Sequence, residues 1–505
     1  MRVFSLLAEG SSSNKIEVEY HSRFQIPSFQ ILGLPAPEIQ EARERIIAAF
    51  QAASLKFPKK KIVVNLAPSS IKKSGTAHDL GIALKILSET CEREWPADLL
   101  CWGELSLDGF VKPGGRMATL IEVLLKKFSW PYPHLLLSSP DTRALKILLE
   151  WRIEKSLPIP EKITVQIIDT LADLLQPLRP ERLILNLEVK HPTKNVEHLA
   201  PLLGLAPRIE RLLQLSMIGR HHVLLLGPKG IGKSESIRWL EALLPESKAG
   251  QTWERILISE SRGQDLDFMA PVRRVHAQVR PTHLLGSFKD RGYLPGELAL
   301  AHGGLFVADE FMEWPRDSKE CLREPLQTRK IFLTRVKGQI ECQADFQMVA
   351  TGNLCPCGGL PSNFRGNIPI KKFACRCRPI EIEHYLSKLS GPIEDRIDLF
   401  YLMTEASHPK REVSQIIKLR QEVNCAREFA ENHFGALPSD LSVEWLENNL
   451  PQSKSIDNLL GDITSLRSRH KILRVARSIQ ALKQSETLRE EFIFEAKLYR
   501  FSARS

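Results

Sequence analysis

The chain has 505 residues, 43% of them hydrophobic and 26% charged, with a formal net charge of +10. That length exceeds what one hydrophobic core organises, so two or three domains are expected, and the composition is that of a folded soluble protein. No run approaches the ~18 apolar residues of a membrane span, and the start "MRVFSLLAEGSSSN" is too poor in apolar residues for a signal peptide, so a cytoplasmic location without a membrane partner is expected.

In chain order, "KIEVEYHSRF" and "KKKIVVNLAP" read as strands, and "APEIQEARERIIAAFQAA" and "AHDLGIALKILSETC" as helices. "LLCWGELSLDGFVKPGG" reads as a hairpin, and "HLLLSS" and "TVQIID" close a mixed α/β domain over residues 1–180. Residues 181–205, with prolines at 192 and 201 and little apolar periodicity, read as a linker. A strand–helix pattern resumes at "HHVLLLGPKGIGKSESIRWLEALL" and runs over 206–400; residues 401–505 read as helical, with no strand candidate.

"GPKGIGKS", comprising Gly227, Pro228, Lys229, Gly230, Ile231, Gly232, Lys233 and Ser234, fits G-x-x-x-x-G-K-[ST] after an apolar strand. In that motif glycines let backbone N–H groups wrap phosphates, the lysine reaches the outer phosphate oxygens and the hydroxyl ligates Mg²⁺. The bland reading is a glycine-rich turn. "GGLFVADE" ends in Asp309 and Glu310, where a P-loop fold carries one carboxylate for Mg²⁺ and one to polarise the attacking water; alone, the pair is a strand end in solvent. "FQMVATGN" ends in Asn353, a polar tip able to sense the γ-phosphate, or else a turn residue. The cofactors expected are ATP and Mg²⁺.

Four of the nine cysteines, Cys355, Cys357, Cys375 and Cys377, stand as two Cys-x-Cys pairs within residues 354–379. Two thiolate pairs closed by a loop can supply the four tetrahedral ligands of structural Zn²⁺. Core packing and a reversible dithiol are the alternatives.

Asn353 followed by "CPCG", then "YLSKLSGPIEDRIDLF", "LPGELALAHGGLFVADEF", "LREPLQTRKIFLTR" and "LRSRHKILRVARSIQAL", resemble in content and order the magnesium-chelatase-like branch of the AAA+ ATPases. The resemblance is to its YifB/ComM group, competence-associated DNA branch-migration helicases, and it covers most of the chain. It implies an AAA+ P-loop ATPase core with a four-cysteine insertion, a C-terminal helical lid and a homo-hexameric ring. It implies Arg396 as an arginine finger reaching a neighbouring subunit, and Arg467 as sensor 2, with Arg474 the competing candidate. The segment 273–297 would be this branch's insert. The hairpin 329–346, turning at Lys337-Gly338, would carry Arg335 and Lys337 to the DNA backbone; a solvated hairpin tip is the alternative.

Residues 1–180 resemble the group's N-terminal domain, similar in fold to the Lon protease (S5-like) domain. Ala77 and His78 fall near the expected nucleophilic serine, and Arg116 and Met117 where the lysine base would follow paired glycines. Arginine cannot serve as that base, so the domain reads as non-proteolytic; Ser74 with Lys72 or Lys73 is the formal alternative. "PKKK" (58–61) and "IKK" (71–73) could touch nucleic acid or simply face solvent. Three departures from the group pattern stand out: Leu354 in place of proline, Ala308 in place of leucine, and a single His283 in place of a histidine pair.

The reading that follows is an ATP-driven hexameric DNA translocase acting on branched or single-stranded DNA without sequence specificity, in natural transformation. Its rival is a protein-remodelling or metal-insertion motor. Residues 453–505 carry 11 Lys/Arg against 6 Asp/Glu, which favours a polyanionic partner.

Overall fold

The structure, a computed structural model, describes all residues except 10–11, 72, 74, 92–93, 127–133, 161, 186–201, 290–291, 336–337, 361–374, 404–407, 462, 464 and 501–505. The chain falls into two compact units. One comprises 1–191, 256–267 and 288–294; the other comprises 192–255, 268–287 and 295–505.

The first unit is built on an eight-stranded mixed sheet. Its order is Glu181–Arg182, Thr164–Ile167, His134–Leu137, Asp98–Trp102, Arg2–Glu9, Ser12–Arg23, Lys61–Ala67 and Ser28–Leu32. Alternation builds the outer strands: Ile62, Val64 and Leu66 of Lys61–Ala67 are fully buried while their neighbours are half-buried. The helix Pro37–Ala52 turns Ile39, Ala42, Ile46, Ala49 and Phe50 inward, at helical spacing. The sequence reading assigns no strand to the first residues, yet Arg2–Glu9 lies inside the sheet. It pairs antiparallel with Ser12–Arg23 and parallel with Asp98–Trp102. Val3, Phe4, Leu6 and Leu7 are all buried, and a strand covered on both faces shows no period-two signal. The expected hairpin around residue 100 is also smaller than its sequence suggests. Asp98–Trp102 is a parallel sheet strand, and only Glu104–Leu105 and Val111–Lys112 form the hairpin.

The second unit holds five parallel strands in the order Val272–Val275, Leu305–Ala308, Gln347–Gly352, Val223–Leu226 and Leu399–Leu402. Numbered along the chain and read from the last strand, the order is 5-1-4-3-2. Three of the strands are buried at every residue, as a parallel sheet covered on both faces requires. The helices Pro207–Gly219, Val413–Phe434, Leu466–Leu482 and Glu490–Leu498 share one apolar core with this sheet. The C-terminal helical region is thus packed against the sheet over a common core. Two short strands depart from the sequence reading: Leu202–Gly204, within the stretch read as linker, pairs antiparallel with His408–Arg411, within the stretch read as wholly helical. "HPKR" has no strand pattern of its own, and its extended form comes from the partner it meets. Among the described residues, no helix is long and apolar enough to cross a membrane.

Candidate functional site

Two strands of the five-stranded sheet end level with one another, and a third stops two residues short on the same side. Leu226 is in register with Gly352, and Ala308 with Ala350, so Gly227, Asp309 and Asn353 emerge along one edge. Ligands of open parallel sheets lie beyond such carboxyl ends. Gly230 and Gly232 hold φ of +77° and +105°, which a side chain would strain, and this curls the loop into Lys233, first residue of the helix Lys233–Leu243. The loop therefore closes on a helix N-terminus, where free N–H groups favour an anion.

Lys233 Nζ donates to Gly227 O at 2.6 Å, Pro228 O at 3.0 Å and Asn353 Oδ1 at 2.9 Å. The structure thereby joins two residues 120 positions apart that the sequence nominates separately. Burial pulls the Lys233 ammonium down to about 8, against the raising influence of Asp309 and Glu310. Ser234, next on the helix, is exposed.

A residue absent from the sequence reading organises the carboxylate pair. Thr351 is buried in the strand ending at Gly352; its Oγ1 donates to Asp309 Oδ1 at 2.5 Å and accepts from Glu310 N–H at 3.2 Å. Asp309 Oδ1 also accepts from Glu310 N–H at 3.1 Å, and Glu310 turns out of the strand at φ +49°. A threonine two residues before a polar strand tip was the available signal. His276, at the end of the neighbouring strand, approaches Asp309 Oδ2 to 3.8 Å.

The four cysteines converge. Their sulfurs lie within 4.8 Å of one another, with 3.3 Å between Cys355 and Cys357, 3.7 Å between Cys355 and Cys375, and 3.6 Å between Cys357 and Cys375. Zn–S bonds of about 2.3 Å require tetrahedral edges of about 3.8 Å, so this donor set fits structural zinc. The loop 361–374 between the pairs lies outside the described residues. The first pair also touches the glycine loop 227–234: Lys229 N–H donates to Gly358 O at 2.9 Å, and Gly358 N–H to Cys355 O at 3.0 Å. Gly358 holds φ +72°, which a side chain would strain, and a Cβ there would also push against the Lys229 side chain at 2.7 Å.

The arginines sit elsewhere on the same unit. A cavity of about 440 Å³ is lined by Arg396, Arg467 and Arg474 together with Arg220, Arg329 and Lys471, and by none of residues 227–234. Arg396 donates to Arg323 O at 2.8 Å, Pro392 O at 2.7 Å and Gln327 Oε1 at 2.6 Å. Flanking carboxylates tie its segment to the helix Leu466–Leu482: Asp395 meets Arg467 at 3.6 Å, and partly buried Asp398 meets Lys471 at 3.1 Å. Arg467 is 69% exposed, whereas Arg474 is committed to Leu441 O.

The stretch 329–346 does form a hairpin, of Lys330–Arg335 and Gly338–Gln343. Its register pairs Arg335 with Gly338, so Gly338 opens the returning strand, whereas the sequence reading places it in the turn with Lys337. Lys337 and the Arg335 side chain lie outside the described residues. In the insert, the helix Pro281–Leu285 leads into a hairpin of Gly286–Lys289 and Gly292–Pro295, and His283 pairs with Glu297 at 3.6 Å.

In the first unit, Ala77 and His78 are buried, and His78 Nδ1 hydrogen-bonds Ser5 Oγ at 2.8 Å. Arg116 stands in the left-handed region at φ +58°, and Met117 opens a buried helix. Lys73 is buried and donates to Pro68 O, while Lys72 and Ser74 lie outside the described residues.

Residues 205–411 match the family described as magnesium chelatase, subunit ChlI; residues 16–129 match its ChlI domain and residues 413–500 its C-terminal domain. The chain is 28% identical to "Competence protein ComM" of Haemophilus influenzae, over 99% of this chain and 97% of that protein. It is 28% identical to "Uncharacterized protein YifB" of Escherichia coli, over 99% and 96%, and 27% identical to YifB of Salmonella typhimurium over the same shares. The chain is a magnesium-chelatase-like protein of the YifB/ComM type. In this AAA+ family the nucleotide chemistry is that of ATP with Mg²⁺. The Lys233 loop and Asp309 are the groups of this YifB/ComM-type chain that suit them.

Proposed function

We propose that this protein is an ATP-driven, hexameric DNA translocase that moves branched or recombination-intermediate DNA, acting in natural transformation. The observation that carries its motor chemistry is the convergence of Lys233, Asn353 and the Thr351-braced Asp309–Glu310 pair on one edge of a parallel sheet. On this reading residues 227–234 wrap the phosphates, and Lys233 carries positive charge to them. Ser234 and Asp309 hold Mg²⁺, which neutralises phosphate charge when bound. Glu310 polarises the attacking water and Asn353 orients it. Arg396, supported by Arg467, completes a neighbouring subunit's site, since their cavity contains no phosphate loop of its own. The four-cysteine cluster holds structural Zn²⁺ and braces the phosphate loop through Gly358 and Lys229. Domains follow the boundaries 1–180, 206–400 and 401–505, the first acting in binding or assembly.

The DNA reading is supported by the likeness to a competence protein, ComM, which ties it to transformation, by the hairpin strand ending at Arg335, and by the basic C-terminal segment. Its test is ATP turnover against forked, four-way, single-stranded and duplex DNA at two salt concentrations. Stimulation by branched or single-stranded DNA that weakens with salt is expected. Turnover indifferent to every DNA sinks the translocase, and would favour the metal-insertion or remodelling motor to which the chelatase family description points. Lys233→Ala should abolish turnover; unchanged hydrolysis would sink the nucleotide site.

A further inference from the structure

The first unit carries an exposed apolar tip set in positive charge. The strands Ser12–Arg23 and Ser28–Leu32 both pair with Lys61–Ala67, and Arg23 and Ser28 face the same residue, Lys61. The connecting residues 24–27 therefore project past the end of the sheet. Phe24 and Ile26 there are each 88% exposed, the two most exposed large apolar residues of the described chain. Water contact over two such side chains forgoes roughly 2 kcal/mol of burial each, so the tip has a reason to find a partner. Lys60 places its Nζ 4.2 Å from the centroid of the Phe24 ring. From 23 to 28 and from 55 to 61 the sequence holds Arg23, Lys56, Lys59, Lys60 and Lys61, and no carboxylate.

We propose that this tip is a second nucleic-acid contact, a stacking platform for single-stranded DNA remote in sequence from the ATPase motifs. An occupant must offer negative charge to the lysines and an apolar face to the ring. An acidic peptide offers the first but no repeated flat face. A lipid surface would require the Lys60 ammonium, seated on the ring, to leave water with it, which is costly. A single strand offers both: phosphates spaced along a chain, and bases whose faces stack on aromatic rings without regard to sequence. The sequence alone hides this site, because Phe24 and Lys60 become neighbours only through strand pairing. The proposal rests on the DNA reading above, and locates a contact that turnover of the ATPase does not require.

The test is fluorescence anisotropy of the full-length protein with a labelled single-stranded oligo-dT, alongside basal and DNA-stimulated ATP turnover. Phe24→Ala should weaken binding roughly tenfold, as expected for one lost stacked base. Lys59→Glu with Lys60→Glu should weaken it further and flatten its salt dependence. Basal turnover should stay unchanged in both. Phe24→Trp should keep binding, with tryptophan emission quenched when the oligonucleotide is added. Wild-type affinity in Phe24→Ala and in the double lysine variant, with wild type itself binding, overturns the tip as a site. So does a loss confined to binding of anionic vesicles, or a shift in oligomeric mass with DNA affinity intact. If wild type binds no DNA and its turnover ignores DNA, the functional reading fails first, and the two failures are thereby distinguished.

Discussion

Lys233 donates to three protein oxygens, and burial lowers its proton affinity to about 8. On the proposed nucleotide reading, phosphate oxygens would restore that affinity, so binding would take up a proton wherever the free amine is neutral. The sign follows: nucleotide affinity should be level below that value and fall above it, approaching about tenfold per pH unit. Calorimetric titration in two buffers of different ionisation enthalpy checks it, and affinity unchanged across that value would show that the lysine stays charged. Thr351 offers a second handle. Valine keeps its shape but removes both hydrogen bonds, of which the one to the Asp309 carboxylate is worth about 1.5–3 kcal/mol. Thr351→Val should raise the Mg²⁺ concentration needed for half-maximal turnover about tenfold while the fold is retained, and Thr351→Ser should restore it. Equal Mg²⁺ dependence in all three proteins would mean that Asp309 is oriented by other groups.

The turn from Asn353 to Gly358 joins what the sequence presents as separate motifs. Its first residue accepts from Lys233, its cysteines enter the thiol cluster, and its last carbonyl accepts from Lys229. A metal held by the cluster would therefore stiffen the phosphate loop directly. Protein purified without chelator should carry one zinc per chain by elemental analysis. Removing it, or making Cys355→Ser with Cys375→Ser, should lower the unfolding midpoint and weaken nucleotide affinity together, since ligand binding free energy of a structural site is folding free energy. Zinc near zero with four freely titratable thiols would return the cluster to packing or a dithiol. The strand elements show why boundaries resist sequence reading. Arg2–Glu9 lacks alternation because both faces are covered, and His408–Arg411 is extended because Leu202–Gly204 pairs with it.

At the scale of the whole molecule, the phosphate loop and the arginines occupy different places on one unit. Arg396 and Arg467 line a cavity that none of residues 227–234 reach, and Arg396 donates to Arg323 O, Pro392 O and Gln327 Oε1. The proposed ring predicts that turnover per chain rises with protein concentration. Arg396→Ala should bind ATP normally yet hydrolyse it on the order of a thousandfold more slowly. Mixing it with Lys233→Ala should recover part of the activity; concentration-independent turnover would point to a site complete within one chain. The sequence by itself determined the composition of the site. The glycine spacing, Asp309–Glu310, Asn353 and the cysteine pairs are local patterns, legible because backbone wrapping and metal ligation demand particular residues at short intervals. Only tertiary structure decided which of them meet. Thr351 beneath Asp309, Gly358 against Lys229, Phe24 under Lys60 and the opening strand within its sheet all depend on pairings between distant segments, and register across a sheet is set by the packing of the whole core rather than by any one stretch of chain.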